Sequence, residues 1–335
     1  MKSLTNKQPL PQEHFYKICV VGGGMTGAIM ALLLKRSKLF NTSDIAWIMP
    51  NIKIPNDLRT TFYNEESIEL LSKLNIWSDL KKSDYTHVKK IQVFGKKNAT
   101  PLIWDNSNKD KNFGAVVKNK VMLDSIFSKL NDIKKYENFV TNTTCDNFER
   151  TLYLNDKHYV KTNLVLCADG KNSQLRKLLL IKTILKKTGH IAISGFLEQS
   201  KDHEFTATQA FTKLGPIGLL PFENENKINF VLSVDETIYK NISSKNNPEQ
   251  YICEKLDNFF SNLNLNFKPI KKINNLKNNL SSWPLDLNFI INPTANRAVL
   301  IGDAAHSIHP LAGQGLNLAM RDCVSVLNSI EESSK

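Results

Sequence analysis

Hydrophobic positions recur along this chain with two periods, and each change of period marks an element. Lys17 to Val21 is a short apolar run of β character. Gly22, Gly23, Gly24 and Gly27 crowd the next stretch. Ala28 to Lys38 follows, apolar nearly all round as a buried helix is. Ile45 to Met49 is a second short strand, and strand, glycine turn, helix and strand in that order make a βαβ unit. Ile68, Leu71 and Leu74 share one side of a helix predicted over 65–74. Val88 to Phe94 alternates as a strand, and Met122, Ile126 and Leu130 line one face of a helix over 121–130. Leu164 to Ala168 is another buried strand, and strands at 191–196, 217–220 and 228–234 follow. An amphipathic helix over 249–263, a buried strand at 298–301 and a helix over 316–330 complete the pattern. Residues 1–14 are polar and predict a loose tail. With no internal repeat and no low-complexity linker, the fold class is α/β: a Rossmann-like nucleotide-binding domain interrupted by a β-rich domain.

Composition narrows the class. With 335 residues, 41% of them hydrophobic and 23% charged, the chain has the material for a globular core. The net charge of +12 comes from scattered lysines. The one cluster, Lys81-Lys82 to Lys89-Lys90, is diffuse and no nucleic-acid signature accompanies it, so no nucleic-acid partner is expected. The five cysteines are odd in number and form no C-x-x-C pair, which argues against disulfides or zinc and for a reducing compartment. Ile18 to Leu34 carries no charge and approaches the length of a short membrane span, but its central glycines suit a turn. The reading is a soluble, cytoplasmic protein with peripheral contact to the inner face of a membrane.

Three motifs carry candidate chemistry. Gly22-Gly23-Gly24-Met25-Thr26-Gly27 is a G-x-G-x-x-G between strand and helix. Its first glycine permits the turn, its second lets a pyrophosphate approach the backbone, and its third lets helix and strand pack closely. The fingerprint also wants an acid at the end of the second strand, where this chain has Met49; Asp44 lies before the strand and Asp57 well after it. The second motif runs from Cys167 through Asp169-Gly170 to Arg176, after a buried strand, where an Asp-Gly also serves simply to end a strand. The third runs from Ile301 through Gly302-Asp303-Ala304-Ala305-His306 to His309-Pro310-Leu311-Ala312-Gly313-Gln314-Gly315-Leu316-Asn317. It sets a carboxylate that can bind hydroxyls beside a glycine-rich loop and a helix start. A metal reading of His306 and His309 fails on context, because the pair sits in a Pro/Gly loop without a third ligand.

In order and spacing these motifs resemble the flavin aromatic hydroxylases of the para-hydroxybenzoate hydroxylase fold. The third is very close to the signature of the ubiquinone-biosynthesis hydroxylases of the UbiH/UbiF type. Leu58-Arg59-Thr60, Leu74 to Trp77, Gly215 to Pro221 and Trp283-Pro284-Leu285 agree, so the resemblance covers about 15–330. It implies an FAD-binding domain over 15–79, 101–180 and 291–335 and a β-rich substrate domain over 80–100 and 181–290. Gly22, Gly24 and Gly27 would hold the FAD pyrophosphate, Arg59 would lie near the ribityl-phosphate region, and Asp169 would shape the groove where NAD(P)H or another donor is met. Gly302 and Asp303 would serve the ribityl chain, Asp303 by binding its hydroxyls. Pro310, Gly313, Gly315, Leu316 and Asn317 would flank the isoalloxazine at a helix start.

The activity implied is hydroxylation, by O2 through a flavin hydroperoxide, of a phenolic ring carrying a polyprenyl tail. Partners within a quinone-biosynthesis assembly are implied as well. Two rival readings are a non-catalytic flavin-fold subunit and a hydroxylase of a soluble aromatic acid. Met49, and Leu123 where many relatives have a Gln facing FAD, depart from the pattern and favour the non-catalytic reading, and the missing acid at Met49 predicts weaker FAD binding. Relatives usually continue in a long helical stretch, whereas this sequence stops at Lys335, which predicts an apolar face on the last helix open to another chain.

Overall fold

Ile18 and Val20 point to one side of a sheet and Cys19 and Val21 to the other, and all of them are buried. An uninterrupted apolar run is what a central parallel strand needs, since both its faces are covered. In the computed structural model, which describes residues 12–50, 59–97, 99–107, 111–155, 158–270, 280–308 and 313–334, this run is the end of strand Gln12–Val21. The strand pairs in parallel with His158–Cys167 on one side and Ile45–Ile48 on the other. Ala298–Leu300 and Lys134–Tyr136 extend the sheet in parallel, and Arg150–Asn155 and Asn142–Cys145 add an antiparallel hairpin. Residues 12–14, assigned to the loose tail, instead continue this strand, because His158 to Val160 offer them a partner.

Helix Met25–Arg36 is buried from Gly27 to Leu34 and packs between the sheet and the last helix, Gln314–Ser333. Helices Glu65–Lys73 and Asn119–Ser128 cover the same side. Trp47 is fully buried there, and its indole N–H donates to the Gly22 carbonyl oxygen at 2.8 Å. A buried ring of this kind contributes about 1.5–3 kcal/mol, and satisfying its polar tip avoids the penalty of an orphaned donor.

The second large sheet is mostly antiparallel. Its strands, in spatial order, are Phe267–Pro269, His190–Gln199, Lys227–Asp235, Pro216–Pro221, Thr206–Phe211, Lys90–Phe94 and Leu102–Asp105, with Leu280–Pro284 also on His190–Gln199. Ile217 and Leu219 face a core closed by helices Glu236–Ser243 and Pro248–Phe259, while the alternate Pro216, Gly218 and Leu220 face a cleft. Two small sheets join the halves: Thr60–Asn64 with Gly114–Lys118 and Tyr85–Val88, and Ile184–Lys186 with Leu287–Phe289 and His306–Ser307.

Two sequence expectations change here. The single strand over 88–94 is two strands: Tyr85–Val88 pairs with Gly114–Lys118, and Lys90–Phe94 with Thr206–Phe211. The break falls at Lys89, whose N–H turns to the Phe205 carbonyl at 2.9 Å. The border at 101 also moves, because Leu102–Asp105 pairs antiparallel with Lys90–Phe94 and so belongs to the β-rich sheet.

Candidate functional site

The end of the first strand turns sharply at Gly22, where φ is +130° and a Cβ would stand 2.2 Å from the Ala168 carbonyl oxygen. Only glycine fits, and its N–H donates to the Ile48 carbonyl at 2.8 Å. A Cβ on Gly27 would stand 2.1 Å from the Gly22 oxygen, so that glycine brings helix and strand together. Gly24 differs: nothing lies within 4 Å of its Cβ position, and it caps the helix without any side-chain hydrogen bond. The first N–H groups of a helix lack intrahelical acceptors, and among the described residues no side chain caps them here. Met49 is 9% exposed and packs in the core; its N–H goes to the Tyr136 oxygen at 2.9 Å. Asp44 pairs with Lys17 at 3.2 Å, and Asp57 lies outside the described residues.

The second and third motifs are tied to each other. Asp169 Oδ2 accepts the Leu175 N–H at 3.0 Å, while Oδ1 is buried without a hydrogen-bond partner. Arg176, buried, donates to the Lys171 carbonyl and the Ala304 carbonyl at 2.8 Å each, joining the two loops. Burial pulls the Arg176 pKa down and Asp169 opposes that. At Gly302 φ is +58° and a Cβ would meet Thr26 Cγ2 at 2.9 Å, so this turn presses on the glycine-loop helix. Asp322, on the last helix, accepts the Gly302 N–H at 2.8 Å and pairs with His306 Nε2 at 2.7 Å. That hydrogen bond raises the His306 pKa, against a smaller opposing effect of burial. Asp303 opens into the cleft, whose walls desolvate its carboxyl and raise its pKa, with His306 and Lys171 pulling the other way.

These pieces surround a cleft of about 550 Å³ between the parallel sheet and the β-rich sheet. Of the residues expected at the site, Gly24, Arg59, Asp303, Gly313, Gly315 and Leu316 line it. Gly22, Gly27, Asp169, Gly302 and Asn317 are not part of its lining and stand behind it, and Pro310 lies outside the described residues. Asn317 acts as a structural tie. Its Oδ1 accepts from Asn64 N at 3.1 Å and Ser67 Oγ at 2.7 Å, and its Nδ2 donates to the Phe62 oxygen at 2.8 Å. It ties the start of the last helix to strand Thr60–Asn64 and helix Glu65–Lys73. The Arg59 guanidinium stands 6.0 Å from the centre of the Trp283 ring. Leu123 packs against the core and is not among the lining residues.

The opposite wall was not anticipated residue by residue. Ser194, Thr208, Gln209, Val231 and Ser233 line it, with Gln92 Nε2 bonded to Thr208 Oγ1 at 2.7 Å. The available signal was the cleft-facing parity of small and polar residues in the strands. Lys171 bridges the walls, 3.0 Å from the Pro284 oxygen and 3.7 Å from Asp286 Oδ2. Among the described residues no group of three or more His, Cys, Asp or Glu side chains is placed to hold a metal ion.

The residues fit a dinucleotide: open space at Gly24 and Gly315, crowding at Gly22 and Gly27, and a buried Asp169 oxygen still wanting a donor. The chain is 26% identical to "Ubiquinone biosynthesis monooxygenase COQ6, mitochondrial" of Dictyostelium discoideum, over 99% of this chain and 79% of that protein. It is 26% identical to the protein of the same name from Caenorhabditis elegans, over 95% and 80%. The crystal structure of PqsL, a probable FAD-dependent monooxygenase from Pseudomonas aeruginosa, superposes with a TM-score of 0.77 at 15% identity, covering 95% of this chain and 86% of that one. The fold is therefore that of the FAD-dependent monooxygenases. A family model described as FAD binding domain matches residues 16–333, a span that runs through both walls of the cleft, and the chain belongs to that family.

Proposed function

We propose that this protein is an FAD-dependent monooxygenase that hydroxylates the aromatic ring of a polyprenylated phenolic precursor of ubiquinone. The observation that carries the reading is the cleft itself: Gly24, Asp303 and Gly315 on one wall, Ser194, Gln209 and Ser233 on the other. Bound FAD supplies the oxygen chemistry, with NAD(P)H or another donor as reductant and O2 as co-substrate. The chain's own residues bind, orient and exclude water. The uncapped helix start at Gly24 attracts the pyrophosphate. Asp303 accepts from ribityl hydroxyls. The last helix begins at Gln314 with no acid in its first turn, so its positive end favours negative charge arriving at the cleft floor. Arg59, Gly313 and Leu316 frame that floor, with Asn317 holding it and Gly22, Gly27, Asp169 and Gly302 setting the loops behind.

On the other wall, the Ser194 and Ser233 hydroxyls and the Gln209 amide provide donors and acceptors for a phenol, while Leu220 and Val231 exclude water. None of the four buried cysteines suits a nucleophilic role: burial pushes the Cys253 thiol up to about 12 and those of Cys19, Cys167 and Cys323 well above the ordinary value. No helix among the described residues is long and apolar enough to cross a membrane, so a substrate with a lipid tail calls for peripheral contact with a bilayer or with an assembly of quinone-biosynthesis proteins. The test is product formation from a prenylated phenol by purified protein with FAD, O2 and a reductant. A colourless protein that forms no product under those conditions would sink the proposal.

A non-catalytic role in the same pathway is favoured by one observation. Met49 packs in the core where a ribose-binding carboxylate was expected. That reading predicts protein without stoichiometric flavin after purification with FAD present.

A further inference from the structure

Outside the cleft, the small sheet formed by Ile184–Lys186, Leu287–Phe289 and His306–Ser307 carries apolar side chains that folding leaves in water. Register sets Ile184 beside Phe289, so they share a face; each is more than half exposed. Leu185, on the edge strand, and Ile291, just past the middle strand, are exposed as well. Leu180, at the loop before the edge strand, is 87% exposed at φ +54°, a backbone conformation leucine rarely adopts. Ile308, at the end of the third strand, is exposed on one side and lines the cleft on the other.

The segment that supplies the edge strand of this patch is rich in exposed lysines. Lys177, Lys182, Lys186 and Lys187 are exposed, and none forms an ion pair among the described residues. No Asp or Glu occurs from residue 170 to 197. A second exposed apolar strand, Leu102–Asp105, differs in carrying an acid of its own: Asp105 pairs with Lys90 at 3.7 Å.

We infer that the face built from Leu180, Ile184, Phe289 and Ile291 docks on an anionic lipid surface, with its lysines at the headgroups and its apolar tips in the acyl boundary. Apolar side chains flanked by lysines that form no ion pair among the described residues complement such a surface, where each cation adds attraction and each inserted side chain adds apolar burial. The patch reaches the cleft through Ser307 and Ile308. A tail held in the bilayer then enters the cleft without crossing water. This last point rests on the proposed substrate; the docking itself does not.

The experiment is co-sedimentation of FAD-loaded protein with phosphatidylcholine vesicles, with and without phosphatidylglycerol. Wild type should bind the anionic vesicles, release with added salt, and bind pure phosphatidylcholine far more weakly. Lys182→Gln/Lys186→Gln/Lys187→Gln should lower binding about a hundredfold, at roughly fivefold per lysine. Ile184→Glu/Phe289→Glu should abolish it, while Leu102→Glu/Trp104→Glu should bind as wild type does. Should the Glu pair at 184 and 289 fail to fold, the lysine variant, altered only at exposed positions, decides. Wild type that ignores anionic vesicles, or patch variants that bind as well as wild type, overturn the docking surface. Turnover of a short-tailed, water-soluble analogue should be unchanged in every variant. Its absence in wild type would count against the proposed function and leave the docking result standing.

Discussion

Asp322 holds the Gly302 N–H and His306 Nε2 on one carboxylate oxygen, so one side chain of the last helix sets the backbone path beneath Asp303. The bond to Asp322 lifts the His306 pKa above its ordinary 6.5. A raised histidine stabilises the fold fully below the unfolded value, and that contribution is lost as pH rises through the folded one. His306→Gln should therefore cost about 1 kcal/mol more at mildly acid pH than at alkaline pH, read as Tm across a pH series. An equal loss at all pH values would contradict the pairing. Asp303→Ala should lower FAD occupancy, with activity falling in proportion and partly restored by added FAD. Met49→Glu places a carboxylate in the core, which should lower the stability of the apoprotein by about 1–3 kcal/mol. If Met49 is the ribose position, FAD should rescue that variant more than wild type, so its Tm should climb more steeply with FAD concentration. A parallel climb would remove Met49 from the site. At this scale the sequence exposed the glycines and Asp303, because loops advertise themselves. Asp322 was hidden, because it reads as an ordinary helix charge and only the fold brings it back onto a glycine 20 residues earlier, while Arg176 stood in the second motif without an assigned role.

The second half of strand Gln12–Val21, helix Met25–Arg36 and strand Ile45–Ile48 could be read from the chain because one glycine turn and a simple change of period separate them, whereas the polar first half of that strand could not. The two-strand break at Lys89 could not, since Val88 to Phe94 keeps its alternation while the chain passes from one sheet to another. Periodicity reports which side chains are buried, not which strand supplies the partner. The glycine turn makes the sharpest test of an element. Gly22→Ala must fit a Cβ 2.2 Å from a carbonyl oxygen at positive φ, and should cost about 3–5 kcal/mol. Gly24→Ala meets nothing within 4 Å and should cost less than about 1 kcal/mol, yet its methyl occupies the pyrophosphate's space. Thermal melts and FAD titration of the pair should therefore dissociate: the first variant loses the fold, the second keeps its Tm and binds FAD at least about tenfold more weakly. Similar melting temperatures for the two would contradict the reading of this turn.

On the scale of the whole molecule, the cleft lies between two sheets of different character, whose walls are bridged by Lys171, which reaches the Pro284 oxygen and Asp286. The chemistry assigned to that cleft uses no thiol and no metal ligand. Cys167→Ser and Cys323→Ser, both at fully buried positions, should leave turnover nearly intact, and a chelator should not inhibit. The central claim is that this cleft holds FAD beside a prenylated phenol, where the bound flavin would supply the chemistry that puts one atom of O2 on the ring. The most direct test supplies isotopically labelled O2 to FAD-loaded protein with a reductant and a prenylated phenol, and reads the product by mass spectrometry. The account predicts a hydroxylated ring carrying one labelled oxygen, formed only with FAD present and lost with Asp303→Ala until FAD is added in excess. Label-free product, or hydroxylation that persists after complete removal of flavin, would contradict it.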